Sequence, residues 1–272
     1  MNKIRSLINL FLALLAFNPL LSFGQECDLN STKERRKQVE LIERPFNYVV
    51  QMDMRRGKTF HGTSFFIHPR VLLTAGHNLR KRPQFIFTRV KSITLKVGAT
   101  SPNNYLAIET ITTIQNENIF TLQSFNKRYN IFEDFGIIIL PDENLYNKIG
   151  GHFKLTVFDE ISHNGKEIQI AGYPRDKPEC TMWTDKTENY FSFINENSNP
   201  LKSKYLKYDF TTESGVSGAP VWYNENGLNN VFAIHTYGND NDDRRCNTAT
   251  IITAEIFNQI LEFCDSKGIE IN

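Results

Sequence analysis

Charge of one sign is what this chain most plainly lacks. Its 31 Lys and Arg residues are offset by 30 Asp and Glu. A near-neutral chain exerts no broad pull on nucleic acid or an anionic membrane surface, so neither is expected as a partner. Cysteine is scarce, with Cys27, Cys180, Cys246 and Cys264 all far apart. None has a His at ligand spacing, and the acidic stretch Asn239–Asp243 lacks calcium-ligand spacing. No metal and no cofactor is expected. No internal repeat or low-complexity tract is present, and beyond the N-terminus no apolar run could span a bilayer.

The one long apolar run lies at the N-terminus. Lys3 and Arg5 precede Leu7 through Leu21, and Ser22-Phe23-Gly24 follows. That order of positive, apolar and small residues predicts a secretory signal over 1–24. A membrane anchor fits less well, because the run is short and Pro19 breaks it. Export makes the even cysteine count read as two disulfides, with three pairings open. Residues 25–45 are polar and read as an N-terminal arm or a propeptide. The run Lys33-Glu34-Arg35-Arg36-Lys37 is either a processing site or a solvated face.

From Phe46 onward the pattern is of short β-rich runs between Gly, Pro and charged residues. Thr63-Ser64-Phe65-Phe66-Ile67, Val71-Leu72-Leu73-Thr74, Ile168-Gln169-Ile170-Ala171 and Val231 to Thr236 are examples. Many short strands at regular spacing predict an all-β fold rather than βα units. One helix is expected, over 253–267. Thr253 can cap it, and Ile256, Phe257, Ile260, Leu261 and Cys264 share a face.

Three segments carry chemistry. Leu72-Leu73-Thr74-Ala75-Gly76-His77 delivers a histidine at the end of an apolar strand. Glu133-Asp134-Phe135-Gly136-Ile137-Ile138-Ile139 opens another strand with an acid, Asp134, with Glu133 as its neighbour alternative. Gly215-Val216-Ser217-Gly218 is a Gly-flanked serine turn. A serine hydroxyl needs a base within reach and a third group to orient that base. The order His77, Asp134, Ser217 is that of chymotrypsin-type triads. His77 is expected to hydrogen-bond both partners, and the Gly215 and Ser217 amides to bind an oxyanion.

These residues resemble the bacterial glutamyl endopeptidases, a secreted branch of the chymotrypsin-like serine proteases. The similarity runs from about Phe46 to the final helix. Its most specific parts are Ala171-Gly172-Tyr173-Pro174-Arg175-Asp176-Lys177-Pro178 with Met182-Trp183, Tyr208-Asp209-Phe210-Thr211-Thr212, and Ile234-His235. The resemblance implies a double β-barrel, about 46–150 and 151–252, with the triad in the cleft between. It also implies a monomer that cleaves polypeptides after Glu, less often after Asp. The pocket would use Thr212 and His235, bordered by Thr236-Tyr237-Gly238. A protonated His235 would strengthen binding of anionic Glu, whereas deprotonating His77 requires higher pH. These opposing demands should give a bell-shaped kcat/KM profile, unless the bound carboxylate raises the pKa of His235 enough to hide one limb. In that fold Cys180 and Cys246 both approach the pocket, which implies Cys180–Cys246 and Cys27–Cys264 as the pairs.

Departures are visible. Val216 stands where trypsin-like zymogens carry the Asp that pairs with a freed N-terminus. Thr211 stands where trypsin-like enzymes carry an Asp, which argues against cleavage after Lys or Arg. Two other readings compete: a catalytically silent binding module, and a protease with a different preference.

Overall fold

The computed structural model describes residues 34–81, 88–111, 116–122, 125, 133–194, 204–238 and 246–271. The expected signal over 1–24, together with Cys27, lies outside them. No helix among the described residues is long and apolar enough to cross a membrane.

Chain order begins with β1 (Lys37–Gln38), β2 (Val49–Arg56), β3 (Lys58–His68), β4 (Val71–Thr74) and a one-turn helix α1 (Gly76–Leu79). Then come β5 (Arg80–Lys81), β6 (Thr88–Arg89), β7 (Ser92–Val97), β8 (Ala107–Ile111), β9 (Ile119–Thr121) and β10 (Gly136–Ile139). The second half holds β11 (Lys154–Leu155), α2 (Glu160–His163), β12 (Ile168–Gly172), β13 (Trp183–Thr187) and β14 (Tyr190–Ile194). It closes with β15 (Lys204–Tyr208), β16 (Pro220–Glu225), β17 (Leu228–Tyr237), β18 (Asn247–Ile251) and α3 (Ala254–Asp265).

These strands form two large curled sheets, the chymotrypsin-like arrangement, and a separate two-stranded sheet of β5 and β6. The first has the order β8-β7-β2-β3-β4-β10-β9. The second runs β1-β13-β12-β16-β17-β18-β15-β14, with β11 added parallel to β17. The arm therefore contributes a strand, β1, to the second sheet.

The burial patterns follow from the sequence. Ile93, Leu95 and Val97 of β7 alternate with half-buried residues, so one face of that strand meets the core. β10 does not alternate: Ile137, Ile138 and Ile139 are all buried, because β10 is an inner strand covered on both faces. Each such side chain is worth about 1.5–3 kcal/mol of transfer free energy. α3 is capped as expected, with Thr253 Oγ1 accepting from Ile256 N (3.2 Å). Its buried residues are Ile256, Ile260 and Cys264.

Both expected disulfides are corrected by this packing. Cys180 and Cys264 are free and buried. Cys264 faces the core from α3, where burial, with a smaller push from the Asp265 charge, raises its thiol to about 12. Cys180 instead accepts a long contact from Lys96 Nζ at 3.6 Å. Cys246 is disulfide-bonded, to a partner outside the described residues.

Candidate active site

β4 and β10 run antiparallel, with Thr74 opposite Gly136. The end of one strand therefore meets the start of the other, and the residues just beyond each are brought together. His77 lies in the helical turn after β4, and Asp134 lies two residues before β10. Asp134 Oδ2 accepts from His77 Nδ1 (2.7 Å), and Asp134 Oδ1 accepts from His77 N (2.8 Å). The Asp134 side chain is fully buried. A buried carboxylate needs such donors to remain charged. A carboxylate can only accept, so the imidazole proton sits on Nδ1 and the Nε2 lone pair is left as a base. Glycine is needed at 76, because a Cβ there would lie 2.9 Å from Phe135 O.

The serine turn belongs to the second sheet but is held by the first. Ser217 O accepts from Thr63 N (2.9 Å) on β3 and from Asn78 Nδ2 (2.8 Å) on α1. Gly215 and Gly218 adopt φ of 101° and 92°, where a side chain is strained. Among the described residues, no protein acceptor takes the Gly215 or Ser217 N–H. Those two amides are available to an incoming oxygen.

The expected His77–Ser217 hydrogen bond is not formed. Ser217 Oγ donates instead to Thr236 O at 3.4 Å. A hydroxyl is a rotor, and that long bond holds it weakly. In free enzymes such contacts often tighten only when substrate binds. The Tyr237 ring lies 5.5 Å from the His77 ring, so 236–237 border the same space. Glu133 is not the partner of His77; the pairing belongs to Asp134.

Two features of the expected pocket differ from expectation or add to it. Thr212 Oγ1 is buried with no hydrogen-bond partner. A buried hydroxyl left unpaired costs about 1–3 kcal/mol unless a ligand completes it. His235 is buried and its Nδ1 lies 2.6 Å from Tyr208 Oη. Burial, helped by the nearby His77 and opposed by a Thr248 backbone bond, lowers His235 to about 3. The expected protonated His235 is therefore corrected: near neutral pH it is an uncharged ring. The β17–β18 ladder shifts register between His235 and Tyr237. Such a bulge re-aims the strand.

The His235 shift predicts acid sensitivity. Its ordinary value is 6.5 and its folded value about 3. Between these the unfolded chain takes up a proton that the folded one refuses. Stability is thus full above 6.5 and falls as pH drops toward 3, by about 3 kcal/mol at pH 4. His235→Gln, which keeps an acceptor for Tyr208, should lose less stability between pH 7 and 4 in urea titrations. An equal loss would remove His235 as the cause.

Asn78 was not foreseen from sequence. Its amide donates to Thr74 Oγ1 (3.0 Å) as well as to Ser217 O. It joins the segment of the base to the backbone of the serine. Arg56 adds a second brace, donating to His77 O (2.8 Å) and to Asn78 O. The only signal for Asn78 was its place next to His77. Asn78→Ala should lower kcat about 10- to 100-fold with KM nearly unchanged, through misalignment of Ser217. Peptide hydrolysis at saturating substrate measures this, and an unchanged kcat would contradict it.

The sequence pattern described as Trypsin matches residues 37–260. The chain belongs to the trypsin family. It is similar to a Bacillus subtilis protein named extracellular metalloprotease, 23% identical over 244 residues. That match covers 87% of this chain and 69% of the relative. Staphylococcus aureus glutamyl endopeptidase is 36% identical over 125 residues, covering 45% of this chain and 34% of the relative. The chain thus spans about a third of that protein's length. Among solved structures, a Glu endopeptidase in complex with MPD superimposes with a TM-score of 0.66 at 18% identity. It covers 87% of this chain and 97% of that one. At that identity the likeness establishes fold, and the trypsin-family assignment rests on the sequence match.

Proposed function

We propose that the protein is an exported serine endopeptidase that cleaves polypeptides after Glu, less readily after Asp. In this reading residues 1–24 are a leader, the domain over 46–272 carries the chemistry, and the protein acts as a monomer without a cofactor. The observation that carries it is the His77–Asp134 pair, tied through Asn78 to the carbonyl of Ser217.

The reaction follows from that geometry. Ser217 Oγ attacks the scissile carbonyl carbon as its proton passes to His77 Nε2. Asp134 holds the Nδ1 proton and stabilises the imidazolium. The Gly215 and Ser217 amides receive the oxyanion. Collapse expels the amine, which takes the proton from Nε2. Water, activated by the same nitrogen, then hydrolyses the acyl-enzyme.

The Glu preference is supported by Thr212 Oγ1, a buried donor in want of an acceptor, and by the buried His235. Because His235 is neutral, it would serve as a hydrogen-bond donor rather than a charge. That neutrality also favours a second reading, a preference for an uncharged residue. A fluorophosphonate probe followed by peptide mapping tests the catalytic reading: the adduct should sit on Ser217. A folded protein that takes up no probe would overturn it in favour of a silent binding module.

A further inference from the structure

The charge run at 33–37 is not used by the reaction, yet the structure gives Glu34, Arg35 and Arg36 specific partners, Glu34 taking Lys177 Nζ at 2.6 Å. Arg35 Nη1 donates to Asp209 Oδ2 (2.9 Å). Arg35 Nη2 donates to Asp185 Oδ2 (3.0 Å) and to Asp209 O (2.5 Å). The same Asp185 Oδ2 accepts the Thr211 N–H at 2.9 Å. One guanidinium thus closes a ring of bonds around Asp209 to Thr211, and Thr212 is the next residue.

The neighbouring Arg36 makes a second strut. It holds Asp176 with two bonds of 2.9 and 2.5 Å, and its own side chain is only 6% exposed. Asp176 lies in the turn whose Arg175 N donates to Ser214 O (2.8 Å). β1 anchors both arginines by pairing Lys37 with Thr184 and Gln38 with Trp183. The arm therefore reaches the segment leading into Ser217 at two places, directly at Asp209 and through Asp176's turn at Ser214.

The energetics give Arg35 a role beyond surface solvation. The Asp185 and Asp209 side chains are 4% and 6% exposed. Two carboxylates so deeply placed repel each other and are costly without a cation between them. Arg35 supplies it, and a planar fork can serve both at once. With it gone, the carboxylates gain most by turning toward water. That motion would draw the Thr211 N–H and the Asp209 backbone with them.

We propose that Arg35 is a positioning residue of the active site, holding the Asp209–Thr212 wall of the substrate pocket through Asp185 and Asp209. The described part of the arm, from residue 34 onward, is then part of the working protein and not a removable propeptide. This rests on the reading of Thr212 and Ser217 given above.

The test compares the full chain with Arg35→Ala and Arg35→Lys. Hydrogen exchange across 209–217 reports the clamp directly, and hydrolysis of a Glu peptide reports its consequence. Arg35→Ala should speed exchange at 209–217 at least about tenfold while leaving the first sheet unchanged. It should raise KM about tenfold with kcat within about threefold of the parent. Arg35→Lys, which keeps the charge but serves one carboxylate at a time, should fall between the two. Exchange and KM equal to the parent's would overturn the proposal. Should Arg35→Ala fail to fold, Arg35→Lys decides alone: parental exchange at 209–217 and parental KM refute the clamp, and local change in a folded protein supports it. If the parent protein neither cleaves peptides nor reacts with a fluorophosphonate, the catalytic reading has failed. The exchange comparison then still decides whether Arg35 holds this wall.

Discussion

Ser217→Ala is expected to lower kcat by about 10⁶-fold while leaving the fold and KM close to the parent's. The change removes the attacking atom and nothing else of consequence. Ser217 Oγ makes one 3.4 Å bond in the free protein, to Thr236 O. The bonds that hold the turn in place involve the Ser217 carbonyl, taken by Thr63 N and Asn78 Nδ2, and these survive. Gly215 and Gly218 keep their backbone geometry, so the amides at 215 and 217 stay where they are. What remains is the catalysis supplied by binding and by those amides, about 10³–10⁴ over water in enzymes of this kind. Burst-phase and steady-state hydrolysis of an ester and a peptide substrate would measure it. A variant with more than about a tenth of parental kcat would remove Ser217 as the nucleophile.

Asp134→Asn is expected to cost about 10⁴ in kcat, by a different route. The carboxylate accepts from both His77 N and His77 Nδ1. An amide offers only one acceptor oxygen. Turned with its NH₂ toward the ring, it donates to Nδ1 and moves the imidazole proton to Nε2. The nitrogen facing the serine then has no lone pair to accept a proton. Unlike Ser217→Ala, this variant keeps its hydroxyl, so slow labelling by a fluorophosphonate should persist. Parental kcat in a folded Asp134→Asn protein would show that Asp134 does not set the tautomer of His77.

The candidate triad segments were legible because strand ends report position. His77 closes an apolar strand and Asp134 opens one, and an antiparallel pairing of those strands brings them together. The serine turn was legible because two glycines in four residues mark backbone that a side chain would strain. The final helix was legible from its cap and its apolar face. The rest depended on contacts between residues far apart in sequence. Arg35 meets partners 150 and 174 positions away, and a charge run looks the same whether solvated or clamped. The cysteine pairing was inferred from the resemblance, and it failed because Cys264 turns into the core and Cys180 toward Lys96. The charge of His235 was misjudged for a related reason. Its burial beside Tyr208 decides its protonation, and burial of a single strand residue is not written in its neighbours.

Cleavage-site profiling of the purified protein on a diverse peptide library tests the central claim most directly. Cuts are expected on the carboxyl side of Glu, with fewer after Asp and none with the Ser217→Ala protein. His235→Ala should lower kcat/KM for Glu peptides far more than for peptides with a neutral residue at that position. Cleavage that is indifferent to the residue before the bond, or that centres on Lys and Arg, would contradict the account of the pocket. Cleavage retained by Ser217→Ala would contradict the account of the reaction.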